Sequence, residues 1–437
     1  MNIAKAIKFL TLAIAALASM QVAFSQDKRM IDDLCGKNII SKDEASKIAR
    51  DLALVFPQKD GAIKTKVWGF AQVMSNYMYS ETTHESGEDW GGFILRRAYM
   101  GFLAEIPDNW KAAIDLDFCR RNTSGSDYLL NCYVAKKLDF DFTSGTLNIG
   151  FKKVQMGYEE IIGAFKIPTI DTSIVSRYFF YAQNNSRIGM GMRYTGLFWD
   201  GEVRGFDGFK YHLALTNSMN NTIMLHSHLS GKESNPVSAN NVNLWAAFFY
   251  SKKLCKDFKI TFGAKTGFGN QAFIVSNDKY GSIFQVNPFV ELKYKDDLTM
   301  WLESVISNIE YGSLDRNGYA TPVGYNFNAE YFILDFNKYG RLSLVGRLSQ
   351  IFTDGKGILP KDVLTGAKSS SHPRPFDIYF DRATTIYGGL CWYIRDHNFK
   401  FFAGYEYAIF DHPVNSRFFG DIETNMHIFR TQIQLRF

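Results

Sequence analysis

The sequence of 437 residues predicts an all-β fold, a transmembrane antiparallel β-barrel of about sixteen strands with a short N-terminal periplasmic helix. The first observation is that apolar and polar residues alternate from Ile63 to the last residue. The second is that most alternating segments have about ten residues or more, whereas globular strands average about five or six. About ten residues suffice for a tilted strand to cross a bilayer. The third is that short and long connections alternate along the chain, as they do in transmembrane barrels.

The last segment, FRTQIQLRF (429–437), shows the alternation clearly. Ile433, Leu435 and Phe437 fall on one face of an extended chain, and the arginines and glutamines fall on the other. In a hydrocarbon layer every backbone polar group needs a partner, so a spanning sheet has to close on itself. We therefore expect this segment to pair with the first strand, IKTKVWGFAQV (63–73).

Two internal segments repeat the pattern. In WKAAIDLDF (110–118) and FKFFAGYEYAIF (399–410) the apolar and aromatic residues share one face and the charged residues the other. Aromatic residues near strand ends are typical of the girdles that barrels place at the lipid headgroups. A barrel of about sixteen strands leaves an interior wide enough for water.

The connections between segments divide into two classes. The short ones read IPDN, TS, LCKD, DD, NKY and DH. The long ones are predicted at 154–186, 217–241, 271–282, 312–322, 353–382 and 411–424. Short turns on the periplasmic side and long external loops are characteristic of outer-membrane barrels.

The N-terminal region differs from the rest. Residues 1–26 have a basic start, an apolar run and small residues before a cleavage point, which predicts a signal peptide. Residues 27–62 are expected to form a periplasmic helical segment, because Ser41 and Glu44 make a capping box ahead of apolar residues at helical spacing. This segment could be a partner-binding or oligomerisation arm, or only a packing plug or leader. Residues 63–437 are predicted to form the barrel.

Composition excludes several functions. The net charge of +5 gives no reason to expect a nucleic-acid partner. The five cysteines show no metal-ligand spacing, so no metal or other cofactor is expected. By strand parity Cys119 faces inward and Cys132 outward, which favours free thiols over a disulfide between them.

Strand parity also nominates side chains that face the interior, where charged residues would govern the passage of ions. Basic residues predominate among them, which predicts an interior that prefers anions. Bases beside lipid headgroups or in internal salt bridges are the alternative. The bases on these faces are Lys111, Lys152, Arg187, Arg193, Lys210, Lys259, Lys265, Lys293, Arg341, Arg347, Lys400, Arg430 and Arg436, and the acids are Asp115, Asp117, Glu291 and Glu406.

The connection at 154–186 is the one expected to fold into the barrel, because its apolar patches IIGAF and YFFYA suit packing against a wall. Lys153, Lys166 and Arg177 near or within it join Lys152 and Arg187 as candidates for a narrow zone. A connection pinned by Glu–Arg pairs, without a solute role, is the alternative. Arg96 and Arg97 are adjacent, so one is expected to point inward and the other outward.

Several segments together resemble the phosphate-selective porin O/P family of Gram-negative outer membranes. They are IISKDEASKI, FILRRAYMGFLAEI, WKAAIDLDF, LNIGFKKVQMGYEE, IVSRYFF and RIGMGMRYTGLF, in this order along most of the chain. The resemblance implies a homotrimeric porin with inward-folded loops that select small anions, in some members phosphate. It also implies that the aromatic C-terminal strand ending at Phe437 is read by the outer-membrane assembly machinery.

The function predicted from the sequence is therefore passive diffusion of small anionic or polar solutes across the outer membrane, in contact with its lipid. An outer-membrane enzyme is the first alternative, but no nucleophile elbow, phosphate cradle or zinc helix occurs, so no enzymatic activity is expected. A surface adhesin is the second, although the predicted loops are moderate in length and not repetitive.

Overall fold

The computed structural model describes residues 63–80, 90–119, 129–181, 187–217, 242–275, 279–310, 318–358, 364, 380–414 and 423–437. The predicted signal peptide and N-terminal helix lie outside these residues. The chain divides into two compact units, residues 1–65 with 105–108, and residues 66–104 with 109–437.

The second unit contains almost all of a closed antiparallel barrel of sixteen strands, which confirms the predicted fold class. Each strand pairs with its neighbours in sequence, and β1 also pairs with β16. The strands are β1 (Lys64–Tyr79), β2 (Trp90–Ile106), β3 (Trp110–Asp117), β4 (Leu129–Asp139), β5 (Thr143–Lys153), β6 (Arg193–Val203), β7 (Phe209–Asn217), β8 (Val242–Lys253), β9 (Phe258–Val275), β10 (Lys279–Tyr294), β11 (Leu298–Ile309), β12 (Val323–Asp335), β13 (Arg341–Phe352), β14 (Arg382–His397), β15 (Phe399–Val414) and β16 (Glu423–Arg436).

The barrel closes between the first and last strands, as the sequence predicts. Their register runs from Phe70 opposite Arg436 to Tyr79 opposite His427. Beyond it, the Gly69 N–H donates to the Phe437 carbonyl at 2.8 Å, and the Phe437 N–H donates to the Gly69 carbonyl at 3.1 Å. Every edge is thus paired, which a sheet in hydrocarbon requires.

The two faces of the wall have opposite chemistry. Leu344, Leu348 and Ile386 on the outer face are 53%, 49% and 51% exposed. On the same strand as the two leucines, Arg347 and Ser349 face the interior and are buried. An exposed apolar exterior around a polar interior is the arrangement expected of a transmembrane barrel.

Two sequence predictions on the strands are wrong. The long connection expected at 271–282 is mostly strand, because β9 continues to Val275 and β10 begins at Lys279. The opposite orientation expected for Arg96 and Arg97 is also wrong, because both approach the same carboxylate of Asp171. The exposed outer residues of β2 change from odd numbers at Leu95 to even numbers at Phe102, which indicates one extra residue in the strand between them.

Two short helices lie between β5 and β6, namely α1 (Tyr158–Ile162) and α2 (Ile174–Phe180). A 3₁₀ turn at Asn337–Tyr339 joins β12 to β13. No helix among the described residues is both long enough and apolar enough to span a membrane.

Candidate functional site

The described residues of the connection between β5 and β6, 154–181 and 187–192, are here called the inward segment. All residues of α2 are buried, and so are Val154, Met156 and Met190. Its backbone carbonyls reach the inner face of distant strands: Lys400 on β15 donates to the Ile167 carbonyl at 3.1 Å, and Gln434 on β16 donates to the Phe165 carbonyl at 3.0 Å. The segment therefore lies inside the barrel, as its apolar patches predict.

Local chemistry explains the course of the inward segment. Ser173 caps α2, because its hydroxyl accepts the Ser176 N–H at 3.0 Å, and α2 then buries a run of apolar side chains. Gly157 precedes α1 with a φ of 71°, a left-handed conformation that favours glycine. A Cβ at this position would come within 2.5 Å of the Phe180 ring, so α1 and α2 pack closely at this point.

The carboxylate of Asp171 ties the inward segment to β2. Arg96 donates from Nε and Nη2 to the two Asp171 oxygens at 3.1 and 3.0 Å. Arg97 Nη2 lies 3.8 Å from Asp171 Oδ1, and Arg177 Nη2, from the segment itself, lies 2.5 Å from Oδ2. One buried carboxylate thus meets three guanidinium groups.

On β13, β15 and β16, Arg347 and Arg430 share the carboxylate of Glu406. Arg347 Nη2 donates to one Glu406 oxygen at 2.7 Å, and Arg430 Nη1 donates to the other at 2.5 Å. Arg347 also donates from Nη1 to the Asp171 carbonyl at 2.6 Å. Arg430 and Arg177 both donate to the Leu364 carbonyl, at 2.8 and 2.6 Å.

These residues form what is here called the anchor cluster: Arg96, Arg97, Asp171, Arg177, Arg347, Glu406 and Arg430. Asp171 and Glu406 are almost inaccessible, with 1% and 2% of their side chains exposed. Burying charges is costly, and removing one partner of a buried pair typically costs about 3–5 kcal/mol. The cluster therefore fixes the inward segment in one position.

A second set of contacts holds α1 against β10 and β11. The Tyr158 N–H donates to Glu303 Oε2 at 2.8 Å, and the Gly157 N–H donates to Asn287 Oδ1 at 3.2 Å. The Tyr158 hydroxyl donates to Glu291, and its ring stacks on Phe289 with the centroids 4.9 Å apart. These contacts place α1 against the part of the wall adjoining β8 and β9.

The acidic groups of the inward segment have opposite pKa shifts. Burial would raise the pKa of Asp171, but Arg177, Arg96 and Arg97 outweigh it and hold that pKa well below its usual range. Burial raises the pKa of Glu159 to about 7, with Arg347 opposing the shift and Glu303 adding to it. Glu159 Oε2 accepts both the N–H and the hydroxyl of Ser173, at 2.8 and 2.7 Å.

The inner wall is unequally accessible. On β9 and β15 the ammonium side chains of Lys265 and Lys400 are fully buried. On β5, β6 and β7 the side chains of Lys152, Asp200 and His212 remain 16%, 28% and 22% exposed. Among the described residues, the interior is thus closed around Lys265 and Lys400 and remains partly accessible around Lys152, Asp200 and His212 on the β5–β7 wall, here called the open wall.

The candidate residues nominated from sequence fall into three zones. The first zone is the anchor cluster, which contains Arg96, Arg97, Arg177 and Arg347. Two further candidates have partners outside this cluster: Lys153 pairs with Glu160, and Lys265 donates to Asn287 at 3.2 Å. The open wall holds Lys152, which lies 2.5 Å from Asp200, and Arg193, which donates to Asn131 at 3.2 Å.

The third zone is the end of the barrel that carries the short turns, here called the short-turn end. Lys111 is exposed there, Lys210 lies 2.6 Å from Glu202, and Arg341 lies 2.6 Å from Asp297. Among the other candidates, Lys166 is exposed beside the Phe165 ring, and Arg187 is buried with its guanidinium 5.9 Å from the Tyr181 ring.

Sequence reasoning missed several acids that face the interior. Asp200, Glu202, Glu303 and Glu330 lie on inner faces, in addition to the acids nominated above, so the excess of bases is smaller than predicted. Strand alternation could have identified Glu303 as facing the interior, because the even-numbered residues Leu302 and Ile306 on the same strand face outward. Asp171 gave no such signal, because it lies in a connection without periodicity.

No known family model and no curated protein matches this sequence.

Solved structures do resemble the fold. The anion-selective porin from Comamonas acidovorans aligns with a TM-score of 0.55 at 10% identity, over 86% of this chain and 100% of that one. The outer membrane channel DcaP of Acinetobacter baumannii aligns with a TM-score of 0.50 at 12% identity, over 86% and 97%. OmpT, an outer membrane protein of Vibrio cholerae, aligns with a TM-score of 0.50 at 10% identity, over 87% and 99%. At such low identity the likeness shows a shared barrel fold.

Proposed function

We propose that this protein is an outer-membrane porin, a channel for the passive diffusion of small polar solutes. The observation that carries the proposal is the combination of a closed barrel, an apolar outer face and a solvent-exposed open wall beside the inward segment. Structures with this fold include an anion-selective porin and an outer membrane channel. The inward segment sets the width of the passage, because it occupies the interior along most of the wall.

We further propose a preference for anions, supported by the short-turn end. Lys253 on β8 lies directly opposite Lys259 on β9, which lies directly opposite Lys293 on β10. Like charges at opposed positions destabilise a sheet, and an anion between them would relieve the repulsion. Lys293 lies 2.9 Å from Glu291, so one carboxylate offsets part of this charge. Phosphate is one such anion, as the resemblance to the O/P porins would imply.

A homotrimer is also proposed, from the same resemblance. Sedimentation of the detergent-solubilised protein, corrected for bound detergent, would distinguish a trimer from a monomer. A single species with the mass of one chain would refute the trimer but leave the channel proposal intact.

Liposome swelling tests the proposed function. Purified protein in liposomes should admit neutral sugars at rates that fall steeply with their size, because diffusion through a narrow bore depends on solute size. Protein unfolded before reconstitution is the control for leakage. Rates equal to those of the control liposomes for every solute would contradict the proposal.

A further inference from the structure

The open wall has one carboxylate that gathers the polar side chains around it. Asp200 Oδ2 accepts hydrogen bonds from Lys152 Nζ at 2.5 Å and Asn148 Nδ2 at 3.0 Å. Asp200 Oδ1 lies 2.6 Å from Nδ1 of His212, which is directly opposite it in the β6–β7 register. Both Asp200 oxygens are therefore engaged, and the side chain keeps a fixed position on the wall.

Lys152 is held by more than this carboxylate. Its Nζ lies 5.5 Å from the centroid of the Tyr133 ring and 5.9 Å from that of Phe198, within the range of cation–π attraction. Lys152, Phe198 and Asp200, with Trp245 from β8, line a small cavity next to the start of the inward segment. Lys152 would therefore stay beside the passage if Asp200 lost its charge.

We propose that Asp200 determines the charge selectivity of the passage, by neutralising Lys152 where the inward segment leaves the wall open to solvent. This rests on the proposed porin function and deepens it. Bases at the short-turn end attract anions, while the carboxylate in the narrower passage restrains that preference. Neutral polar solutes and ions of both signs therefore pass the open wall, and the preference for anions becomes stronger when Asp200 is neutral.

The test is the reversal potential of single channels in a planar bilayer under a potassium chloride gradient. Removing a unit charge about 7 Å from an ion in water changes the energies of chloride and potassium in opposite directions, and screening at about 0.1 M salt roughly halves each change. The chloride-to-potassium permeability ratio should therefore rise roughly threefold in Asp200→Asn. Asparagine keeps an oxygen that can accept the hydrogen bond from Asn148, so the fold is expected to persist.

Glu202→Gln is the matched control. Glu202 lies on the same strand and the same face, also pairs with a lysine, and is 58% exposed at the short-turn end. Because salt screens charges that are open to solvent, its neutralisation should leave the ratio almost unchanged. Equal shifts in the two variants, or no shift in Asp200→Asn, would overturn the assignment.

Lys152→Met gives an independent reading. Removing the ammonium leaves the Asp200 charge in place, so the permeability ratio should move towards potassium. An unchanged ratio would overturn the assignment even if Asp200→Asn failed to assemble. Wild-type protein without any channel would instead refute the proposed function, so the two failures are distinguishable.

Discussion

Arg96 on β2 and Asp171 on the inward segment form a two-pronged ion pair, with Nε and Nη2 of the guanidinium 3.1 and 3.0 Å from the two carboxylate oxygens. The Asp171 side chain is only 1% exposed. Two parallel charge-assisted hydrogen bonds fix direction as well as distance. This carboxylate therefore fixes both the distance and the orientation of the inward segment relative to β2.

Asp171→Asn is predicted to loosen the inward segment. The change leaves the guanidinium groups of Arg96, Arg97 and Arg177 without their shared counter-charge in a buried site. Loss of one partner of a buried pair costs about 3–5 kcal/mol. We expect a lower unfolding temperature and a larger, noisier single-channel conductance, measured by thermal unfolding in detergent and by bilayer recording.

The matched control for this prediction is Asp139→Asn. Asp139 also pairs with an arginine, Arg204, but both side chains are largely exposed at the short-turn end. Exposed pairs contribute little to stability. A loss of stability as large in the control as in Asp171→Asn would contradict the role given to the anchor cluster.

Gly157→Ala is predicted to separate α1 from α2. The new Cβ would lie 2.5 Å from a carbon of the Phe180 ring, at a φ of 71°. Gly205→Ala has a similar φ of 76° but nothing within 4 Å of its Cβ, so it isolates the backbone strain of about 1 kcal/mol. We expect Gly157→Ala to lower the unfolding temperature by several degrees more than Gly205→Ala and to change the conductance. Similar behaviour of the two variants would show that the α1–α2 contact does not fix the inward segment.

Stability is predicted to depend on pH through Glu159. Burial raises its pKa to about 7 in the folded protein, above the ordinary value of a glutamate. The stability contributed by the protonated form is therefore complete below the ordinary pKa and is lost as pH rises through about 7. Between these two pKa values, one such group lowers the free energy of unfolding by about 1.4 kcal/mol per pH unit, and above about pH 7 it has no further effect.

Glu159→Gln separates this effect from other titrations. Glutamine keeps an oxygen to accept the hydrogen bonds of Ser173 and removes the charge, so the fall in stability between about pH 5 and pH 7 should become smaller. Asp171 does not contribute in this range, because its lowered pKa confines its effect to more acidic solutions. Unfolding temperatures of both proteins across this range give the comparison, and identical pH profiles would show that Glu159 does not titrate there.

The outer face of the wall can be tested with the native thiols. Cys132 on β4 and Cys255 in the turn after β8 are both free and exposed. The wall places Cys132 against lipid and Cys255 in water. In nanodiscs, a charged maleimide should modify a variant that keeps only Cys255 roughly tenfold faster or more than one that keeps only Cys132, because a charged reagent enters hydrocarbon poorly. Equal rates would mean that the outer face of β4 contacts water.

Period-2 alternation predicted the strands, their number and the closing pair well, because side-chain direction in a strand depends only on parity. The prediction failed where parity changes within a strand. Arg96 and Arg97 both reach Asp171, and one extra residue in β2 is enough to reverse the faces beyond it. Alternation in sequence does not reveal such a residue.

Sequence reasoning could not predict which of the nominated basic side chains are buried, for a different reason. Arg347 and Asp171 are far apart in the chain, and only the folded inward segment brings them together. Parity placed Arg347 on the inner face correctly, but it could not distinguish a guanidinium open to water from one buried by a connection. The acids that offset these bases, Asp200 and Glu303, were within reach of the same parity argument.

Single-channel recording in planar bilayers tests the central claim most directly. Addition of purified folded protein to one side should produce discrete conductance steps of uniform size, because the partly exposed side chains of the open wall line the proposed passage. Asp171→Asn recorded under the same conditions should give larger steps. A bilayer that incorporates the folded protein, shown by antibody or fluorescence, yet conducts no more than bare lipid would contradict the account.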